Sequence, residues 1–471
     1  MNLGFYFTQD DYDNLAGPDW PSYQELLAGK QATIPEIQQE IDQFIKMLKS
    51  DGIKFPIKTK TACQSKWTWS TIWLNNLSSS SCHRVQATPI DLDNFDNFHN
   101  LPKKLNDRRL MLNGEWPTGG CETCKVVEDA GGWSDRQHNL EIRGLTPPEL
   151  LDDPTAIVVS PKIVEIFAQN TCNLACIYCN GNLSSRIEQE SIKFGQFSSK
   201  GVTIPVINVP TVAAKEYFNK FLDWLNRNIQ TLTRLHLLGG ETFIQHELMN
   251  SVLDIIERKP NPNLELCVFS NLNSPDRYYN LYIGRIKDLQ KSGNIRVFDL
   301  TASIDCWGPE QMYVRSGLNL EKFEQQFAWA SEQDNWLRLN VNHTITSMTI
   351  KTMPDLIKTM NKYNKHRHIG HYFQFLTGLK KYQHPDAFPY DFWADDFDRI
   401  FEAMPTDTDQ QREAIPRMTG MQKQLQQVKN YDYNRIDQLH VYLDEIDRRR
   451  STDWRKIFPY LDIDTTNTIN R

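Results

Sequence analysis

The sequence predicts an α/β protein built on a parallel sheet, and three observations predict it. Six strand-like segments, at 163–167, 234–238, 264–270, 297–304, 338–346 and 372–376, alternate with helical patterns such as 212–229, 243–258 and 320–333. That alternation is the βα order of parallel strands. The polar residues able to carry chemistry fall at the carboxyl ends of those segments, where barrels of this class gather their active residues. After Gly378 the alternation stops, and a stretch bearing cysteine and tryptophan precedes it. Four regions follow: 1–53, 54–153, 154–379 and a helical extension at 380–471.

The totals narrow the possibilities. At 471 residues the chain has room for two or three domains. Its 39% hydrophobic and 24% charged content is that of an ordinary globular protein. No run of about eighteen apolar residues occurs, and the first ten residues lack the basic start and apolar core of a signal peptide. A cytoplasmic protein with no membrane partner is expected. A net charge of −7 argues against nucleic acid as a partner. Nine cysteines in a reducing compartment point to metal binding or catalysis rather than disulfides. Cys267 and Cys306 stand alone in apolar surroundings and read as core residues.

Residues 1–32 are polar, punctuated by Gly17-Pro18 and Trp20-Pro21, and read as irregular. A helix follows, with Thr33 as its cap, Pro35 in its first turn, and Ile37, Ile41, Phe44, Ile45 and Leu48 on one face until Asp51-Gly52. Next come Cys63, Cys82 and the pair Cys121-Glu122-Thr123-Cys124, among Trp67, Trp69, Trp73 and Trp116 and a strand-like run at 67–74. Four cysteines complete the ligand set of a zinc ion or an iron-sulfur cluster, and their spacing alone leaves the two equal. Asp152-Asp153-Pro154 reads as a linker.

Directly after the first strand of the sheet, Cys172-Asn173-Leu174-Ala175-Cys176-Ile177-Tyr178-Cys179 packs three thiols into eight residues. A single zinc would be one ligand short there, whereas a four-iron cluster on three thiolates keeps one iron open to a substrate or cofactor. A zinc loop or buried free cysteines are the alternatives. Residues 180–208 are a long polar insertion, either a lid or a surface loop. Leu238-Gly239-Gly240-Glu241-Thr242 ends the second strand, where glycines admit close backbone approach and Glu241 can accept from an ammonium group. A plain strand-to-helix turn would look the same.

Ser270-Asn271 ends the third strand and Ser303 with Asp305 the fourth; such small polar groups either bind ligand hydroxyls and carboxylates or cap turns. Arg315, within Tyr313-Val314-Arg315-Ser316-Gly317, suits a carboxylate or a surface salt bridge. Asn342 lies on the fifth strand, and His366, His368 and His371 near the sixth are candidates for a substrate pocket. Beyond the sheet, Ile436, Leu439, Leu443 and Ile446 form a packing stripe, and Arg448-Arg449-Arg450 reads as a solvated helix end.

The C-x-x-x-C-x-x-C spacing, with Tyr178 before its last cysteine, resembles the signature of the radical S-adenosylmethionine (SAM) superfamily, and Gly239-Gly240-Glu241 resembles its GGE motif. The resemblance implies a partial (β/α)6 barrel at 154–379 and a [4Fe-4S] cluster on Cys172, Cys176 and Cys179. In that family SAM binds the open iron, and its reductive cleavage gives a 5′-deoxyadenosyl radical that takes a substrate hydrogen. By the same resemblance Gly239, Gly240, Glu241, Ser270, Asn271, Ser303, Asp305, Arg315 and Asn342 would contact SAM, with Arg315 on its carboxylate and Tyr178 near its adenine.

The upstream cysteines resemble a group of radical SAM proteins with an N-terminal twitch domain. The pattern is Gly119-Gly120-Cys121-Glu122-Thr123-Cys124 followed by Glu128, Gly131, Gly132, Ser134 and Arg136. It implies a small β-rich domain with an auxiliary [4Fe-4S] cluster on Cys63, Cys82, Cys121 and Cys124. It also implies a peptide or protein side chain as substrate, with a sugar or cofactor precursor as the alternative, and an electron donor such as flavodoxin or ferredoxin. A non-catalytic iron-sulfur or zinc protein is the reading from a different class.

Overall fold

Alternating apolar runs and amphipathic stretches produce six strands: β1 (Ile163–Phe167), β2 (Arg234–Leu238), β3 (Glu265–Ser270), β4 (Val297–Ser303), β5 (Leu337–Ile345) and β6 (Gly370–Phe375). They are hydrogen-bonded neighbours in sequence order. The pairings of β2 with β3, β3 with β4, β4 with β5 and β5 with β6 are parallel. Within these six, each step is to the next strand in one direction, as in the winding of a β/α barrel.

The computed structural model describes residues 55–463 apart from 130–133, 141, 143, 365–367, 377, 379, 408–411, 413 and 429–430. The helix expected at 33–50, Gly131, Gly132 and His366 lie outside the described residues. The chain divides into two compact units: residues up to 71 with 79–164, and residues 72–78 with those from 165 onward.

In the second unit the helices are α1 (Ser185–Phe194), α2 (Thr211–Asn228), α3 (His246–Arg258), α4 (Asp276–Lys291), α5 (Pro309–Val314), α6 (Leu320–Ser331) and α7 (Met353–Asn361). After β6 come α8 (Ala394–Ala403), α9 (Ala414–Gln426) and α10 (Asn434–Arg450). Helix α3 buries Leu248, Met249, Val252, Leu253, Ile255 and Ile256, a stripe at helical spacing. Each such side chain contributes about 1.5–3 kcal/mol by leaving water. The polar insertion at 180–208 has regular structure of its own, a helix and a hairpin. Ser184 caps α1, accepting from the Ile187 amide at 3.4 Å. A hairpin pairs Phe197–Ser199 with Val202–Ile204. Lys200 and Gly201, both at positive φ, make its two-residue turn.

Along β5 burial alternates, with Leu337, Leu339, Val341, His343 and Ile345 inside and Arg338, Asn340, Asn342 and Thr344 on the other face. Register sets Arg338 beside Asp299, Asn340 beside Thr301 and Asn342 beside Ser303, so one face of the sheet is polar. Near the amino ends of the strands, Glu265 is buried and ion-pairs with Arg234, Arg296 and, at 2.9 Å, Arg338. After β6, apolar residues of α8, α9 and α10 form one core with Ile345, Phe373 and Phe375 of the sheet and with Ile177 of the cysteine loop.

The first unit is not β-rich, contrary to what the resemblance implies. Among the described residues it carries five short helices, Gln64–Thr68, Pro102–Leu112, Glu122–Asp129, Asp135–Leu140 and Pro148–Asp152. Its strand content among the described residues is small: parts of Trp69–Trp73 and Ser78–Ser80, then Thr88–Pro89 and the start of Ile163–Phe167. Pro102–Leu112 buries a charged face: Lys104, Asp107 and Arg108 with Met111. Lys66 and Lys103 both meet the Asp107 carboxylate, at 2.6 and 2.5 Å. Lys104 donates to Ser70, Ser79 and the Phe98 carbonyl. A hydropathy pattern cannot reveal a helix that buries its charges.

Candidate functional site

One flank of the three-cysteine loop is arranged by the carboxyl ends of the strands. Gly239 and Gly240 end β2 with φ of +90° and +50°. A Cβ on Gly240 would lie 2.1 Å from the Thr171 carbonyl oxygen, and one on Gly239 would lie 2.9 Å from that of Gln169. Both glycines therefore serve the approach of the chain just before Cys172. The Glu241 amide then donates to Thr171 O at 2.8 Å. Gly240→Ala is expected to cost at least about 2 kcal/mol, from backbone strain plus the clash. A urea unfolding midpoint equal to that of the wild type would contradict this.

Glu241 turns inward. Its carboxylate is buried and accepts from Ser270 Oγ at 2.8 Å, Ser274 Oγ at 3.0 Å and the amides of Asn271 and Phe243 at 2.7 and 3.2 Å. Burial raises its pKa against the pull of those donors. Glu241 thus fastens β2 to the end of β3. Asn271 in turn donates to Asn173 Oδ1 at 2.9 Å, and Asn173 donates to Asn273 O at 2.9 Å, so β3 also holds the cysteine loop.

From β4 comes the third attachment. Arg315 and Ser316 pair antiparallel with Cys176 and Ala175. Buried Asp305 receives Arg315 in a fork, Nε at 2.8 Å and Nη2 at 3.0 Å, together with Tyr178 Oη at 2.7 Å and the Thr344 amide at 2.8 Å. The salt bridge that Arg315 makes is a buried one with Asp305 of this chain, not a surface one, and Tyr178 shares that carboxylate. The Arg315 guanidinium also sits 5.6 Å from the Tyr178 ring centre.

The three thiols share one small cluster with Leu174, Leu318, Leu320 and Tyr178. All three are free. Burial pushes each thiol up; Cys176 reaches about 12. Cys172 feels Cys176 and Cys179, while Arg315 and Arg450 oppose the rise at Cys176 and Lys380 opposes it at Cys179. Soft, crowded donors ringed by fixed cations fit an anionic thiolate-ligated cluster. Among the described residues no three His, Cys, Asp or Glu groups are arranged around a single ion. A cluster asks for something else, because each thiolate bonds its own iron.

Ser303 and Asn342 are register partners on the polar face, whereas Ser270 pairs with Ala302 on the opposite face. The set expected around one ligand is therefore split between two faces. His371 lies on β6 and stacks on His343, which sequence reasoning did not single out; Nε2 of His343 is 2.9 Å from Nδ1 of His371. Burial drives His343 down to about 3 and His371 well below its usual value. His368 is described but lies just ahead of β6.

The cysteine loop has further partners that the sequence left unmarked. Lys380 Nζ donates to the carbonyls of Ile177 and Cys179, at 2.7 and 2.8 Å, and Tyr442 Oη donates to Ile177 O. The arginine run ending α10 is not a solvated helix end. Arg449 is buried against Glu445 at 2.6 Å. Arg450 pairs with Glu190 at 2.8 Å and donates to Ala175 O at 2.9 Å. Only Arg448, with its side chain 58% exposed, matches the expectation.

In the first unit, Cys82 and Cys63 pack with Cys121 into one apolar cluster that includes Trp67 and Trp116. Burial raises all four thiols, Cys63 to about 11 and Cys82 to about 12. Cys63 further feels Cys121 and Cys124, and Cys82 feels Cys63. Sequence neighbours Gln64 and Ser81 bury side-chain polar atoms that meet no protein partner. Gly120, at φ +130°, brings its backbone against Arg84 O, where a Cβ would be 2.3 Å away. Glu128 gathers Ser134 and Arg136, at 2.5 and 2.8 Å, so those residues of the motif do meet. Cys63, Cys82 and Cys121 thus share one apolar cluster, with Cys124 felt by Cys63 through its charge.

No protein-family profile matches the chain, and no curated protein matches it. One solved structure, described as the structure of TYW1 with a lysine-pyruvate adduct bound, is similar over 49% of this chain and 70% of that one, with 15% identity and a TM-score of 0.26. A likeness of that size carries no argument. Among the described residues no helix is long and apolar enough to cross a membrane.

Proposed function

We propose that this chain is a radical SAM enzyme. One observation carries the reading: a C-x-x-x-C-x-x-C loop follows β1 of a sequentially wound parallel sheet and is tied to the carboxyl ends of β2, β3 and β4. Cys172, Cys176 and Cys179 would hold a [4Fe-4S] cluster, with SAM beside it. When bound, the pair would supply a 5′-deoxyadenosyl radical able to abstract a substrate hydrogen.

The residues of the chain do the positioning. Gly239 and Gly240 let the β2 end meet the loop, Glu241 and Asn271 hold its flank, and Asp305 fixes Arg315 and Tyr178 against it. Ser303 and Asn342 offer polar groups on the open face of the sheet for substrate or SAM. Fixing such groups beforehand keeps a reactive species away from water and protein. Cys63, Cys82, Cys121 and Cys124 would hold an auxiliary cluster, acting as an electron relay or a structural element. We place the enzyme in the cytoplasm, with flavodoxin or ferredoxin as donor and a peptide or protein side chain as substrate; the substrate class rests on the sequence resemblance alone.

Anaerobic reconstitution followed by SAM and dithionite is expected to release 5′-deoxyadenosine. About eight irons per chain should bind and fall to about four in Cys121→Ala/Cys124→Ala, if both clusters are cubanes. Zinc in place of iron and intact SAM would remove the proposal, and an iron count that ignores the double substitution would remove the auxiliary site.

A further inference from the structure

The carbonyls of Ala175, Ile177 and Cys179 alternate along the cysteine loop, and each meets a donor from the segment that follows β6. Lys380 Nζ bridges Ile177 O at 2.7 Å and Cys179 O at 2.8 Å, and donates to Tyr442 Oη at 3.1 Å. Tyr442 Oη donates to Ile177 O, as does Gln383 Nε2 at 3.4 Å. Arg450 Nη1 reaches Ala175 O at 2.9 Å while its Nε and Nη2 are held by Glu190 at 2.8 and 3.2 Å. The Ile177 side chain, wholly buried, is part of the core built by α8, α9 and α10. Four side chains lying more than 200 residues downstream thus converge on three carbonyls of the loop.

We propose that the C-terminal segment is a clamp on the cysteine loop, in which Lys380, Tyr442 and Arg450 are positioning residues that hold the backbone at Ala175, Ile177 and Cys179, on either side of Cys176, and bring two cations to the loop. The clamp rests on the cluster reading for its electrostatic role but not for its mechanical one. Ammonium and guanidinium donors to carbonyls are charge-assisted and strong for their kind. The same charges favour electron uptake by an anionic thiolate-ligated centre, because each added electron is attracted to them.

Metal-free protein tests the mechanical half. Iodoacetamide labelling of Cys176 and Cys179, read by mass spectrometry, is expected to run about tenfold faster in Lys380→Met than in the wild type, through easier local opening. Arg450→Gln should accelerate Cys176 more than Cys179, and provides a second reading should Lys380→Met lose its circular dichroism signal. Lys381→Met, one residue along and exposed, should leave both rates unchanged. In reconstituted protein, Lys380→Met should shift the reduction equilibrium about tenfold toward the oxidised form, a fall of about 59 mV for one electron. Equal labelling rates in the wild type, Lys380→Met and Arg450→Gln overturn the clamp whatever the iron content. A wild type that takes up no iron, with labelling still accelerated in the variants, overturns the cluster reading and leaves the clamp standing.

Discussion

Replacing Cys176 with alanine is expected to abolish 5′-deoxyadenosine formation and to halve the bound iron while leaving the protein folded. Cys176 is the buried thiol of the three, and its backbone is already held by the ladder to Arg315 and by Ile177 N donating to Val314 O at 2.9 Å. Removing one sulfur leaves these bonds in place, so the stability loss should be about 1 kcal/mol, the ordinary size for a small buried truncation. A cluster held by two thiolates is short of a ligand that its chemistry requires. Iron analysis, product assay and thermal unfolding on one sample separate the outcomes. Undiminished product with a normal melting curve would show that the loop does not hold the reactive centre, and an unfolded variant would show that the thiol is structural.

Asp305→Ala should bring the largest stability loss of any single change near the loop. It strips the carboxylate from a buried arginine, from Tyr178 Oη and from the Thr344 amide at one stroke. Leaving one partner of a buried ion pair uncompensated costs about 3–5 kcal/mol. For a chain of 471 residues, unfolding with about 2.1 cal/mol/K of entropy per residue, that corresponds to a fall of roughly 3–5 °C in the thermal midpoint. Deleting the cation as well removes the penalty, so Asp305→Ala/Arg315→Met should be more stable than Asp305→Ala alone. A double variant whose loss equals the sum of the two single losses would show that the pair is not coupled.

What the sequence made legible is what repeats or lies close along the chain. The six strands were readable because β-branched and aromatic runs alternate with amphipathic helices, and the thiol trio because its members share one loop. The carboxylate facing Arg315 was not readable, since it depends on how the end of β4 folds back onto that loop. Lys380, Gln383, Tyr442 and Arg450 leave no motif: they donate to backbone carbonyls, which any residue type carries. The first unit defeated pattern reading for another reason. Lys104, Asp107 and Arg108 are buried charges on the inner face of a helix, so hydropathy pointed the wrong way there. The in-chain partners of Glu241 and Arg315 were likewise invisible until register is known.

Glu265 has a consequence of its own. Three arginines from β2, from the start of β4 and from β5 converge on it, so neighbouring strands are riveted along one margin by charge rather than by oily packing. A sheet fastened at that margin resists splaying there, and with Asp305 and Arg315 paired at the opposite rim, beside the sulfurs, the spacing of the strands is set by charge from both ends.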